Sequence, residues 1–291
     1  MITVLENDRI KLTVCSEKGA TASMINKLTG QEHMWQLDTR YIDAILPITF
    51  PHCGKFINDE YQFEGKTYPM PQHGFLKQND MSFVEADDTH VIYRFESNEE
   101  TRAMYPFDFR FDLIHTLLQD HVELTYRVVN TGDHDMYYSV GSHESYSSPI
   151  DPTCDPDDGY LEFEQEETVD YYVLKDEIID GEKKPFLNGS REKSLMGLFE
   201  GGAITLDLNE LKSRAVTIRN RKSPYGTRVE FPDAKNLILW APKGKVPLVC
   251  IEPWQGLFQI EGHNGDLKTK KDMICLAPSE ARTMTQRFYL I

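Results

Sequence analysis

The chain has 291 residues, with 47 acidic against 31 basic side chains and a formal net charge of -16. That balance argues against nucleic acid, which requires clustered Lys and Arg to meet phosphates, and no segment approaches the ~20 apolar residues of a membrane span. The five cysteines, Cys15, Cys53, Cys154, Cys250 and Cys275, are odd in number and widely spaced, which favours reduced thiols in a cytoplasmic protein over a disulfide framework or a zinc knuckle.

In chain order the period of the apolar residues is two almost everywhere. The opening MITVLENDRIKLTV mixes apolar and charged residues, unlike a signal peptide, and places Ile2, Val4 and Leu5 ahead of Ile10, Leu12 and Val14. Next come VIYRF and FRFDLIHTLL, then a run in which Val122, Leu124, Tyr126 and Val128 share one face and Glu123, Thr125 and Arg127 the other. MYYSVG, YLEFEQ, AITLDL, AVTIRN, NLILWA and RFYLI continue the pattern. The segments LTGQ, FEGKT, NTGDH, DDGY, GSRE and SPYGT read as turns between strands. No window of a dozen residues carries an amphipathic helical stripe, and no Pro- or Ser-rich linker divides the chain. These features predict a single all-β domain over 1–291, built as a large sandwich of antiparallel strands. The polar stretch 166–193 predicts a hairpin or short helix, a solvated surface excursion in preference to a lid.

Three segments place proton-exchanging side chains in unusual settings. In LVCIEPW (248–254), Glu252 ends an apolar strand, where burial raises a carboxyl toward the range of a general base; a salt-bridged strand end is the plainer alternative. PQHGFLK sets His73 before Gly74 and an aromatic, a pattern also common in loop histidines. SVGSHESY sets His143 at a strand end, where a backbone-bonded histidine would look the same. Two His and one Glu could ligate a metal or form a metal-free acid–base set, and with no HxH or HxxxH pair the second is favoured. Trp240 and Trp254 flank the Glu252 strand and would suit a sugar ring if they are not core. The acidic loop with Asp151, Asp155, Asp157 and Asp158 reads as solvated.

In order and spacing, GATASMINKLTGQEHMW, FPHCGKFINDEYQFEGKTYPMPQHGF, NTGDHDMYYSVGSHESY, LILWAPKGKVPLVCIEPWQG and GDLKTKKDMICLAPSEARTMTQRFYL resemble the aldose 1-epimerase (galactose mutarotase-like) family, within it the LacX-like branch. The resemblance implies a β-supersandwich and a cofactor-free interconversion of the α and β anomers of an aldose. It implies Glu252 as the base at the C1 hydroxyl, His143 as the acid at the ring oxygen, and His73 as a second histidine that holds and polarises the sugar. Lys55 of FPHCGK stands where the family has Arg, and with His73 and Trp240 it is expected to contact substrate. His143-Glu144 replaces the usual His-Pro, and Lys77 replaces the Arg of HGFxR. These residues lead to the expectation that His73, His143, Glu252 and Lys55 meet in one pocket. A sugar is the expected partner, with no metal or cofactor, for a monomer or homodimer. The alternatives are a hexose-6-phosphate epimerase, with Lys55, Lys243 and Lys245 on the phosphate, and a carbohydrate-binding protein without turnover.

Overall fold

Alternating burial builds the sheets, and a computed structural model describes residues 1–42 and 47–291. An amino-terminal sheet takes Ile2–Glu6, Ile10–Cys15, Ala20–Asn26 and Gln31–Glu32 in sequence order. A second, 15-stranded sheet carries the rest of the framework, and two small two-stranded sheets complete it. Strand Ile10–Cys15 shows why the period matters: Ile10, Leu12 and Val14 are buried while the residues between them are half-buried. The fold is the all-β, large-sheet architecture that the alternation predicts. Among the described residues the α-helix is limited to Glu99–Met104, whose amino end Asn98 closes with a capping box.

Two turn expectations fail for local reasons. GSRE lies inside the long strand Ile178–Ser194, where Gly189, with φ 60, accompanies a shift of register and forms a bulge instead of a reversal. SPYGT lies inside Ser223–Glu230, because the reversal falls just before it, between the paired Asn220 and Ser223.

Strand Leu248–Gln255 is buried on both faces along almost its whole length. Asn236–Trp240 pairs with it on one side, setting Ile238 opposite Glu252. On its other side two short strands share the edge. Val140–Ser142 sets Gly141 opposite Trp254, and Ser145–Ser147 sets Ser145 opposite Cys250. The pair His143-Glu144 forms the interruption between them, and because both short strands keep the same register, His143 falls directly across from Glu252. Pro253, which has no N–H to give, is accommodated beside this gap in the ladder. Gly141 is required by packing: a Cβ there would lie 2.1 Å from Cδ1 of Trp254.

The stretch expected to be a surface excursion is a hairpin of Gly159–Lys175 and Ile178–Ser194. Its base joins the large sheet through pairing with Ala215–Asn220, and its far end packs on a small buried cluster of Cys53, Ile179, Ile238, Trp254, Leu257 and Phe258. The solvated-excursion reading is therefore corrected. The tip residues Leu174, Asp176 and Glu177 form a wall of the main cavity.

Candidate active site

A cavity of about 690 Å³ opens beside the Leu248–Gln255 strand, and His73, His143, Trp240 and Glu252 all line it. Nε2 of His143 lies 3.4 Å from Oε1 of Glu252. The His143 ring meets His73 edge-on at 5.5 Å between centroids and Trp240 at 6.0 Å. Trp254 closes the floor, its indole N–H donating to the Ser142 carbonyl at 2.9 Å.

Each side chain is held by its element. The His143 N–H donates to the Pro47 carbonyl at 2.7 Å, which pins the residue at the break between the two short strands. His73 adopts left-handed backbone, φ 61, followed by Gly74, where a Cβ would fall 2.1 Å from the Phe50 carbonyl oxygen. The chain can turn there only without a side chain on residue 74. The Gly54 N–H donates to Nδ1 of His73 at 3.2 Å, which leaves the proton of the neutral ring on Nε2.

Burial decides the protonation of the acid–base pair. Glu252 is 1% exposed, and desolvation, with a smaller contribution from the Glu177 charge, pushes its carboxyl well above the ordinary range. Desolvation lowers His143 to about 4, aided by the nearby Lys77 ammonium. His73 is held well below its usual value by burial, then by His143 and Lys77. Both shifts point the same way, because a low-dielectric site disfavours a separated ion pair that has no further hydrogen bonds. Burial therefore favours a neutral pair, with one proton on Glu252 and an unprotonated Nε2 on His143.

Lys55 does not reach the cavity. Gly54, with φ 81 and packed against Phe258, turns the chain at that point, and the ammonium among the lining residues belongs to Lys77 of the turn Leu76–Gln78. Lys243 is exposed, and Lys245 is bound to Asp155 and Asp157 at the surface. Sequence reasoning missed Gln72, Asp176 and Glu177. The usable signal was the reversal between two alternating runs at Lys175 and Ile178, with Asp176 and Glu177 between them. A metal ion could find donors in His143, Cys250 and Glu252, whose ligand atoms lie within 4.8 Å of one another. Burial keeps both the Cys250 thiol and the Glu252 carboxyl protonated, so a cation would have to displace two protons.

Residues 2–274 match the aldose 1-epimerase family model, and the chain belongs to that family. The protein LacX of Lactococcus lactis is 32% identical over 267 residues, covering 88% of each chain. A galactose mutarotase related enzyme from Lactobacillus acidophilus superimposes with a TM-score of 0.93 at 28% identity, covering 100% of this chain and 97% of the other. A galactose mutarotase-like protein from Lactobacillus casei gives a TM-score of 0.91 at 24% identity, with both chains covered in full, and so shares the galactose mutarotase-like fold. Among the described residues no helix is long and apolar enough to cross a membrane.

Proposed function

We propose that the protein is an aldose 1-epimerase that interconverts the anomers of a free, neutral hexose. The observation that carries this reading is the His143–Glu252 pair, 3.4 Å apart at the floor of a cavity flanked by half-buried Trp240, while Trp254 is core beneath it. The Trp240 indole matches the apolar C–H face of a sugar ring, and an adjacent acid and base match the two proton transfers that ring opening needs.

The pair shares one proton. With that proton on His143, the Glu252 carboxylate takes the hydrogen of the C1 hydroxyl, the C1–O5 bond breaks as C1 becomes a carbonyl, and His143 gives its proton to O5. This leaves protonated Glu252 and neutral His143. Rotation about C1–C2 presents either face of the aldehyde, and the same steps in reverse close the ring. The protonation that burial favours is thus that of the ring-open stage. Sugar hydroxyls, together with the His73 Nε2–H and the Lys77 ammonium, supply the polar contacts that bring the ionised tautomer within reach. These transfers balance with the side chains alone, and the step calls for no cofactor.

The hexose-6-phosphate alternative receives less support. Asp176 and Glu177 outnumber the one ammonium, that of Lys77, among the described lining residues, and Lys245 is engaged elsewhere. Polarimetry of freshly dissolved α-galactose and α-glucose tests the proposal. Acceleration over the spontaneous rate is expected, and a purified, folded protein without effect on either sugar or on any other free aldohexose would rule it out.

A further inference from the structure

The Gly159–Ser194 hairpin ends in an acidic turn that the proton chemistry does not use. Asp176 and Glu177 connect the paired Lys175 and Ile178, and both have left-handed backbone, φ 50 and φ 64. Two successive positive φ values define the tight hairpin turn that Asn-Gly or Asp-Gly normally fills. A glutamate is disfavoured there by the clash of its Cβ with the following carbonyl, and such strain persists where another requirement fixes the residue.

The turn is held in place. Buried Ile179 packs with Trp254 and Phe258, its N–H donates to the Gln259 carbonyl at 2.9 Å, and its carbonyl accepts from the Glu261 N–H at 2.8 Å. Glu177 therefore faces the same cavity as Glu252, His73 and Lys77 from a fixed position. One of its carboxylate oxygens accepts from the Gln72 amide, which itself lies 3.3 Å from Nε2 of His73. The other oxygen has no protein partner among the described residues. Lys77, 8% exposed and lining the cavity, likewise has no hydrogen-bond or ion-pair partner among them. An ammonium without a protein partner and a half-used carboxylate, both facing one cavity, are groups that a polar ligand can bridge. Gly201 and Gly202 add bare backbone to the lining, with nothing within 4 Å of where their Cβ atoms would be.

We infer that Glu177 is a substrate-binding residue that accepts hydroxyl hydrogens from the sugar at the cavity mouth and, with Asp176, selects neutral sugars over those bearing phosphate or carboxylate. The inference rests on the reading above only in requiring that a sugar occupies the cavity. Trp240 and Trp254 report occupancy by fluorescence whether or not turnover follows. Wild type and Glu177→Gln are titrated with galactose, glucose and glucose 6-phosphate, and their polarimetric rates and melting curves are recorded in parallel. The Gln variant should bind the better neutral sugar about ten-fold more weakly, with KM raised to match, kcat within about two-fold and melting unchanged, since it trades a charge-assisted bond for a neutral one. The preference for that sugar over glucose 6-phosphate should shrink by a similar factor. Unchanged neutral-sugar affinity in the folded variant overturns the inference while leaving epimerase activity standing. Binding that depends on Glu177 without turnover keeps the inference and defeats the epimerase reading, and a wild type that binds none of the three sugars overturns both.

Discussion

The two walls of the cavity solve different problems. The inner wall is a strand paired on both edges, with buried Glu252 on it and half-buried His143 across from it, the two almost without other polar company. The outer wall is a two-residue turn that exposes its side chains and strains its backbone. Burial on the inner wall shifts protonation, which is what proton transfer needs and what ordinary binding would avoid. Exposure on the outer wall leaves a carboxylate oxygen open to accept hydroxyl hydrogens. In the reading proposed here, chemistry belongs to the inner wall and selectivity to the outer one.

The sharpest way to break that division is Glu252→Gln, which preserves shape and removes the titrating group. Turnover should fall by at least ~100-fold, the ordinary share of one general acid–base group, with KM changed far less and the melting temperature not lowered. If Glu252 served only as a structural ion-pair partner, the variant would melt earlier and keep its rate per folded molecule. His143→Asn should follow Glu252→Gln in kinetics.

Gly141→Ala attacks the inner wall through packing alone. The added methyl would meet the Trp254 ring at 2.1 Å, so the strand edge or the indole must move, at a cost of about 1–3 kcal/mol or more. Denaturant midpoints and kcat should fall together, because Trp254 anchors to the Ser142 carbonyl next to His143. Full stability in this variant would show that the close approach is not fixed.

Glu144 probes the same wall on its far side. It is buried, its Oε1 accepts from the Thr21 hydroxyl at 2.7 Å, and burial pushes its carboxyl from 4.5 up to about 8. Between those values the folded chain keeps a proton that the unfolded chain releases. The carboxyl's contribution to stability therefore declines as pH rises through that window, by up to about 1.4 kcal/mol per unit. Glu144→Gln does not titrate, so its melting temperature should gain on wild type between pH 5 and pH 8. A constant difference across that range would mean that the carboxyl titrates near its ordinary value.

The smallest effect belongs to Lys245→Ala. Its contacts to Asp155 and Asp157 lie at the surface, where such pairs contribute little, so melting, kcat and KM for neutral sugars should be unchanged. The same invariance for glucose 6-phosphate would separate this lysine from any phosphate contact, and a raised KM for that sugar alone would reopen the phosphorylated alternative.

The sheet framework was legible because period-two alternation is imposed by one buried face per strand, as in Ile10–Cys15. His143 and Glu252 were legible because polar groups stood at the ends of apolar runs. GSRE was misread because Gly189 serves a bulge as readily as a turn. Lys55 was misplaced because the direction of the chain at Gly54 depends on packing against Phe258, a contact 204 residues away that no local pattern carries (258 minus 54). Glu177 escaped notice for a related reason: the turn that presents it is made of residues that do not favour that turn, so the pairing of the two strands, not the turn, specifies it.

The interruption at His143-Glu144 has a consequence for adaptation. Because the short strands on either side keep one register, the separation of the proton-exchanging groups is set by interstrand spacing, a constant of β-structure, and loop rearrangement cannot alter it. A lineage acquiring a new sugar could therefore rebuild the Lys175–Ile178 turn or fill the bare Gly201–Gly202 surface while the reaction distance stayed fixed. Laboratory selection for altered sugar preference should accumulate changes at those two places and leave residues 248–255 untouched.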